Sequence, residues 1–434
     1  MSDNPDDIAR GALTGYLPPE LLDRVFSHLH LPFGWDRGHD RRDLCACRLV
    51  NRLWADVAAV HVFSAISLRV DVSDATRSSD SNPAQSLAGF RDFLAMTPGL
   101  CSAVQTLSIV NVTRAAEARK HIEPALLHTI FALLPRIQRI HLSGIFQCFS
   151  VVPRARYDLR FSAQVVEVSG GITPSSCSGS LQSLLHLTDM FREIGELVFN
   201  QSSLNHTYCA ISSLPTPSVL HIRYNRAITN PSWLVHLTRH LDISTLHSLS
   251  IGLRRVLHNP QGWENLYGFL QTIGSQLTHL GLYVGGLVEA ENSQYHCVVE
   301  FACRVADRRL LGDDSVYGVL FDVCAQLRSV SFTFGRSNGD YYYKLGWERL
   351  VEAIQHLPRS VRLIGIELDS FADDVRRLRT ARDDIARFEG LITKRQPHTV
   401  VAVRSSDQPI LQLDEQRQIR ELFLELSQKA LLQF

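Results

Sequence analysis

The stretch Leu277-Thr-His-Leu-Gly-Leu282 places apolar residues at positions one, four and six of a short β-prone run. The same spacing recurs at Phe63-Ile66-Leu68, Val104-Leu107-Ile109, Ile137-Ile140-Leu142, Ile194-Leu197-Phe199, Pro217-Leu220-Ile222, Leu246-Leu249-Ile251, Leu327-Val330-Phe332 and Val361-Ile364-Ile366. Successive side chains on a strand point to opposite faces, so positions four and six bury one face and leave the other to polar residues. Helical periodicity fills most of the intervals, predicting helices over Ser86–Met96, Ala125–Leu134, Leu181–Glu193, Trp233–Leu241, Trp263–Ile273, Tyr317–Gln326 and Trp347–His356. Pro98, Pro135, Pro215 and Pro358 stop several of them before the next strand. Strand and helix alternating on this scale predict parallel strands joined by crossovers of one hand.

The distances between fourth positions discriminate among alternating folds. Leu107 to Ile140 is 33 residues, Leu197 to Leu220 is 23, Leu220 to Leu249 is 29 and Leu249 to Leu280 is 31. Ile140 to Leu197 is 57 and Leu280 to Val330 is 50, so each of these intervals holds either a second repeat or a long insertion. Leucine-rich repeats of roughly 20–29 residues carry an L-x-x-L-x-L strand, so this chain reads as an irregular, lengthened version with a parallel sheet on its concave face. Each repeat leaves apolar faces that only its neighbours cover. An open doubly wound α/β sheet is the alternative, since strand and helix alternate there too.

Composition narrows the function. The chain has 434 residues, 45% apolar and 20% charged, a globular balance long enough for several units or one long array. Its 44 basic and 44 acidic residues cancel, which removes the simplest electrostatic case for nucleic acid or an anionic membrane as partner. The acidic start Met1-Ser-Asp-Asn-Pro-Asp-Asp7 lacks the basic and apolar stretches of a signal peptide. The uncharged run Val168–His186 is rich in Ser, Gly and Thr and holds Pro174, so no membrane span is expected. Nine scattered cysteines form no dense disulfide framework, and Cys45-x-Cys47 lacks a second ligand pair at zinc spacing. Reduced thiols in the cytoplasm or nucleus are the expectation, with no metal and no cofactor.

Four regions follow: a tail over 1–14, a helical domain over 15–62, the repeats over 63–370, and a capping region over 371–434. In the helical domain Leu21, Leu22, Val25 and Leu29 share one helical face after Pro18 and Pro19. A second helix, with Asp43 as N-cap, carries Leu44, Cys47, Val50, Trp54 and Val57 along one stripe. The loop His30–Arg42 separates the two. In the capping region Asp373–Glu389 mixes Arg376, Arg377, Arg379, Arg382 and Arg387 with Asp373, Asp374, Asp383 and Asp384, the pattern of a solvated helix face. A last strand over Val400–Val403 and a helix over Asp414–Leu432 are predicted to close the array.

The segment Leu17-Pro-Pro-Glu-Leu-Leu-Asp-Arg-Val-Phe-Ser-His-Leu29, with Asp43-Leu44 and Leu49-Val-Asn-Arg-Leu-Trp54, resembles an F-box. That family's pattern has a Leu-Pro-x-Glu start, an apolar first helix, Asp-Leu opening the next, and a Val-Cys/Ser-Arg-x-Trp close. Val62-Phe-Ser-Ala-Ile-Ser-Leu68 also looks like the continuation common in fungal members. The motif covers about 45 of 434 residues. Asn51 departs from it, taking a slot usually held by Cys or Ser, and the His30–Arg42 loop is longer than usual. The resemblance implies docking on the Skp-type adaptor, and through it a cullin, of a ubiquitin ligase whose target the repeats hold. Leu17, Pro18, Pro19, Glu20, Leu21, Val25, Leu29, Leu44, Val50 and Trp54 would supply or support the docking stripe. The alternative is an interaction scaffold whose F-box-like helices act only as a cap on the first repeat.

Catalytic motifs are missing. There is no G-x-x-x-x-G-K-S/T loop, no G-x-S-x-G elbow and no His-x-x-x-His with a helical Glu, so a binding protein is expected rather than an enzyme. An active site assembled from distant loops is the competing reading. Strand alternation puts Arg139, His141, Ser143, His221, Arg223, Ser248, Ser250, His279, Tyr283, Ser329, Ser331 and Thr333 on the polar face. That face suits an acidic or phosphorylated peptide, or is simply a solvated inner surface. The loop Gly335–Tyr343, with Tyr341 and Tyr342, is a second candidate contact for a target protein.

Overall fold

In a computed structural model of the chain, the structure describes residues 18–29, 40–70, 87–111, 124–144, 157, 159–169, 184, 186–200, 218–227, 241–252, 260–283, 316–334, 347, 350–368, 371–395, 398–405 and 411–434. The chain is α/β and forms two compact units, Met1–Ser143 and Gly144–Phe434.

The first unit opens with three helices, α1 (Pro19–Leu29), α2 (Asp40–Cys47) and α3 (Arg52–Phe63). The sequence predicts one helix from Asp43 through Val57, but the chain breaks between α2 and α3. At the break Asn51 is extended, and its side-chain oxygen accepts the Trp54 N–H at 2.9 Å. A short polar side chain that satisfies an orphan N–H outcompetes helix continuation there, so Asn51 is an N-cap while Asp43 lies inside α2. Strands β1 (Ala65–Val70), β2 (Thr106–Asn111) and β3 (Arg139–Ser143) then pair in parallel, with Ile66, Leu107 and Ile140 in one register row. Helices α4 (Leu87–Met96), α5 (Pro98–Cys101) and α6 (Pro124–Ala132) fill the intervals.

In the second unit the strands are β4 (Phe161–Ser169), β5 (Phe191–Asn200), β6 (Ser218–Ala227), β7 (Ser248–Gly252), β8 (His279–Tyr283), β9 (Ser329–Phe334), β10 (Leu363–Leu368), β11 (Val400–Ser405) and β12 (Leu432–Gln433). Each pairs in parallel with the next in chain order. A doubly wound sheet reverses its strand order at a switch point, and this unit has no reversal. The intervals between these strands hold helices. Among these are α7 (Pro260–Ile273) and α8 (Val316–Val323), and residues 350–356 are helical as well.

One interval left open by the sequence is resolved, and two sequence readings are corrected. The long interval from Ile140 to Leu197 is a doubled repeat: β4 lies inside it, with Ala163, Val166 and Val168 buried at positions one, four and six. The predicted helix over Leu181–Glu193 stops short, because β5 begins at Phe191. In β6 the buried pair is Val219 and Ile222, whereas Leu220 is 37% exposed, so the motif is shifted by two residues. Ile222 and not Leu220 is level with Leu197 and Leu249. By contrast β8 pairs directly with β9, so the interval from Leu280 to Val330 is one repeat with a long connection.

The C-terminal part contains α9 (Phe371–Thr380), α10 (Arg382–Arg395), α11 (Leu413–Leu422) and α12 (Leu424–Gln428). The predicted solvated face of α9 and α10 is only half so, since Asp374, Asp384 and Glu389 are buried. Asp374 pairs with Arg377 at 3.8 Å. Glu389 accepts the Leu426 N–H at 3.0 Å at the start of α12. The single helix expected over Asp414–Leu432 is broken at Phe423 and ends in β12. Phe423 instead enters an aromatic cluster with Phe388 and Trp347, which stacks on Phe334 at 5.1 Å.

Candidate functional site

Two surfaces collect the residues singled out in the sequence, one in each unit. In the first unit α1, α2 and α3 close a small core of Leu22, Phe26, Leu44, Ala58 and Val62, with Cys47, Trp54, Val57 and Phe63 against it. Phe26 meets Trp54 edge to face at 5.6 Å. His61 Nε2 lies 2.8 Å from Asp23 Oδ1, which ties α3 to α1 on the outside of that core. Leu44 is thus buried and Trp54 partly so, and both support the helical unit from within. Outside it stand Leu21 at 46% exposure, Val25 at 49%, Leu49 at 86% and Val50 at 53%. Leu21 and Val25 are four residues apart on α1 and lie on one helical face. Pro18, Pro19 and Glu20 are exposed at the start of the same helix. Leu17 falls outside the described residues, as does the side chain of Leu29.

The second surface is the polar face of the second unit's sheet. Register places Glu196, His221, Ser248, His279 and Ser329 in one row across β5 to β9. The next row runs Arg223, Ser250, Gly281, Ser331 and Gly365 across β6 to β10. Hydrogen bonds link the rows. His279 Nδ1 is 2.8 Å from Ser329 Oγ and its Nε2 is 3.3 Å from Ser331 Oγ. His221 Nε2 is 3.4 Å from Ser250 Oγ, and the two imidazoles meet edge to face at 6.3 Å. At one end Arg223 Nε lies 2.7 Å from Glu196 Oε1. At the other, Thr333 donates to Glu367 Oε2 at 2.9 Å, and Glu367 is paired across strands with Arg404.

Burial decides the charge state of this face. Burial, with Arg223 and His279 adding to it, pushes the His221 imidazole down to about 4. Burial also lowers His279, opposed by Glu367 and helped by Arg404. Both rings are therefore neutral near pH 7. Glu196, His221 and Ser250 stand in the order acid, imidazole, hydroxyl, but the carboxylate is 3.7 Å from Nδ1. An imidazole so weakly basic does little to activate a serine near neutral pH. The arrangement is built to donate and accept hydrogen bonds.

Sequence alternation finds most of this face and misses Glu196, Glu367 and Arg404, which the same rule applied to β5, β10 and β11 would have found. His221 and Arg223 stay on the polar face despite the shifted motif in β6, because a shift of two residues preserves the face. Arg139 and His141 belong to the first unit. Arg139 is exposed, whereas His141 is buried, bonded to Ser108 Oγ at 3.0 Å and pushed down to about 4 by that burial. Tyr283 lies on β8 with its side chain outside the described residues, as are Tyr341 and Tyr342. Among the described residues no three His, Cys, Asp or Glu are placed to hold a metal, and no helix is long and apolar enough to cross a membrane. Compared with known proteins, the chain matches no family model and no curated protein.

Proposed function

We propose that this chain is the non-catalytic target-recognition subunit of a Skp–cullin–F-box ubiquitin ligase. In this reading α1 to α3 are an F-box that docks on the Skp-type adaptor. The strands behind them form an irregular leucine-rich-repeat-like solenoid whose concave, parallel-sheet face holds a target protein. The carrying observation is that α1 to α3 satisfy their own core with Leu22, Phe26, Leu44, Ala58 and Val62, yet leave Leu21, Val25, Leu49 and Val50 outside. A cap serving only the first repeat has no use for that surplus, whereas a helix-in-groove contact covers it when the partner arrives. The departure at Asn51 is chemically mild, since Asn and Ser cap a helix equally well. Supporting the solenoid are the unreversed strand order and the buried one-four-six positions of β7, β8 and β9. No described cysteine is in a disulfide, which accords with the cytoplasm or nucleus.

Co-purification with the Skp-type adaptor and cullin tests the assignment, with wild type beside a Leu21→Asp, Val25→Asp variant. Wild type is expected to capture both, and the variant, its fold verified by circular dichroism, neither. If folded wild type captures no adaptor, the helices are a cap and the scaffold reading replaces this one.

A further inference from the structure

We propose that the polar sheet face of the second unit takes an extended target segment of uncharged, hydrogen-bonding residues, and rejects acidic or phosphorylated ones. The inference rests on the target-recognition reading and names the class of target.

Charge complementarity carries it. A phosphopeptide site presents cations poised for an incoming anion, commonly an arginine cluster. Here the fixed charges are already matched within the face. Arg223 lies 2.7 Å from the Glu196 carboxylate, and Arg404 is the cross-strand neighbour of Glu367. A phosphate approaching Arg223 must displace or face Glu196, and like charges brought together at an interface are strongly unfavourable. Between those two ends the polar groups across β7 to β9 are serine hydroxyls and the His279 imidazole, with Gly281 among them. His279 is held between Ser329 and Ser331, and neutral imidazoles offer an arriving anion no Coulomb attraction.

Glycines let the serines of the second row pack closely into the floor of the face. Gly281 carries no side chain, and a Cβ built there would lie 2.4 Å from Ser250 Oγ and 3.0 Å from Ser331 Oγ. A Cβ on Gly365 would lie 3.1 Å from Ser331 Cβ. Ser248, Ser250 and Ser329 are partly exposed on these rows, so a peptide can reach them with its own amides and with Asn, Gln, Ser or Thr side chains. Neutral hydrogen bonds of this kind reject a partner that leaves them unpaired.

A phage-displayed library of random twelve-residue peptides, selected on the full chain, tests this. Enriched peptides are expected to carry no excess of Asp or Glu, and to bind with Kd changing less than about twofold between low and moderate salt. A phosphoserine placed in the enriched sequence is expected to weaken binding by about tenfold or more. Two variants report on the face, His279→Phe and Ser329→Asp, each checked for an unchanged melting curve. At least one folded variant is expected to lose binding by about tenfold. Acidic consensus sequences, tighter binding on phosphorylation, binding untouched in the folded variants, or no enrichment over a column lacking the protein would each overturn the proposal. Adaptor capture by the same preparations separates the two failures: if it persists, only the target class is wrong.

Discussion

Leu277, Leu280 and Leu282 of the second unit are all buried, and so are Leu246, Leu249 and Ile251 on the neighbouring repeat. In α1, Leu22 and Phe26 are inside while Leu21 and Val25 are outside. These two repeats use every residue of their apolar pattern to make the core. The helical unit has more apolar residues than its core can hold. That difference separates apolar residues kept for folding from apolar residues available to a partner, and it is open to measurement.

Its strongest test is Trp347→Ala. Trp347 is fully buried, stacked on Phe334 at 5.1 Å and edge-on to Phe388 at 5.7 Å, so its removal empties the centre of an aromatic cluster. We expect a loss of about 3–5 kcal/mol in denaturant unfolding of the second unit. A loss below about 1 kcal/mol would show that this cluster is not well packed, and that the repeats are looser than their burial implies.

Acid sharpens the comparison from the polar side. His141 and His221 have folded pKa values of about 4 against an ordinary value near 6.5, so in each the unfolded chain takes up its proton first. Stability from these rings is complete above about pH 6.5 and is lost progressively as the pH falls toward about 4. Between pH 7 and pH 5 each is expected to withdraw about 2 kcal/mol, read by urea unfolding at the two values. His141→Gln and His221→Gln should each flatten that dependence. An unchanged pH slope in both variants would mean that neither ring is desolvated.

How much of this was legible in the sequence depended on how far each motif was unique. Leu246-Leu249-Ile251 and Leu277-Leu280-Leu282 admit one register, and all six residues are buried in it. In β6, Pro217-Leu220-Ile222 and the residues two further on both fit an apolar one-four-six pattern; the neighbours' pairing chose the later one. The sequence leaves Ala163-Val166-Val168 open as a second repeat or an insertion, because its first position is a small alanine. The burial of Asp374, Asp384 and Glu389 is not legible in the sequence, because mixed charge ordinarily marks a wet surface and only their positions on α9 and α10 turn them inward. On the polar face the alternation rule located the histidines, but their neutrality arises from burial that no linear pattern records.

Smaller effects return to the helical unit. Asn51→Ala removes the acceptor for the Trp54 N–H and is expected to cost about 1 kcal/mol, with Asn51→Ser restoring most of it. A full loss in the Ser variant would show that Asn51 does more than cap α3.

The smallest expected change is the most informative about the comparison. Leu21→Ala and Val25→Ala delete side chains that are about half exposed and outside the Leu22–Phe26 core, so each should alter thermal unfolding by no more than about 0.5 kcal/mol. Leu22→Ala, one residue away but fully buried, should cost about 2–5 kcal/mol. If Leu21 and Val25 proved as costly as Leu22, they would belong to the fold, and the surplus would vanish. If they are silent in unfolding yet abolish adaptor capture when made charged, the same turn of α1 serves both ends at once: one face closes the helical core and the other is kept for a second molecule.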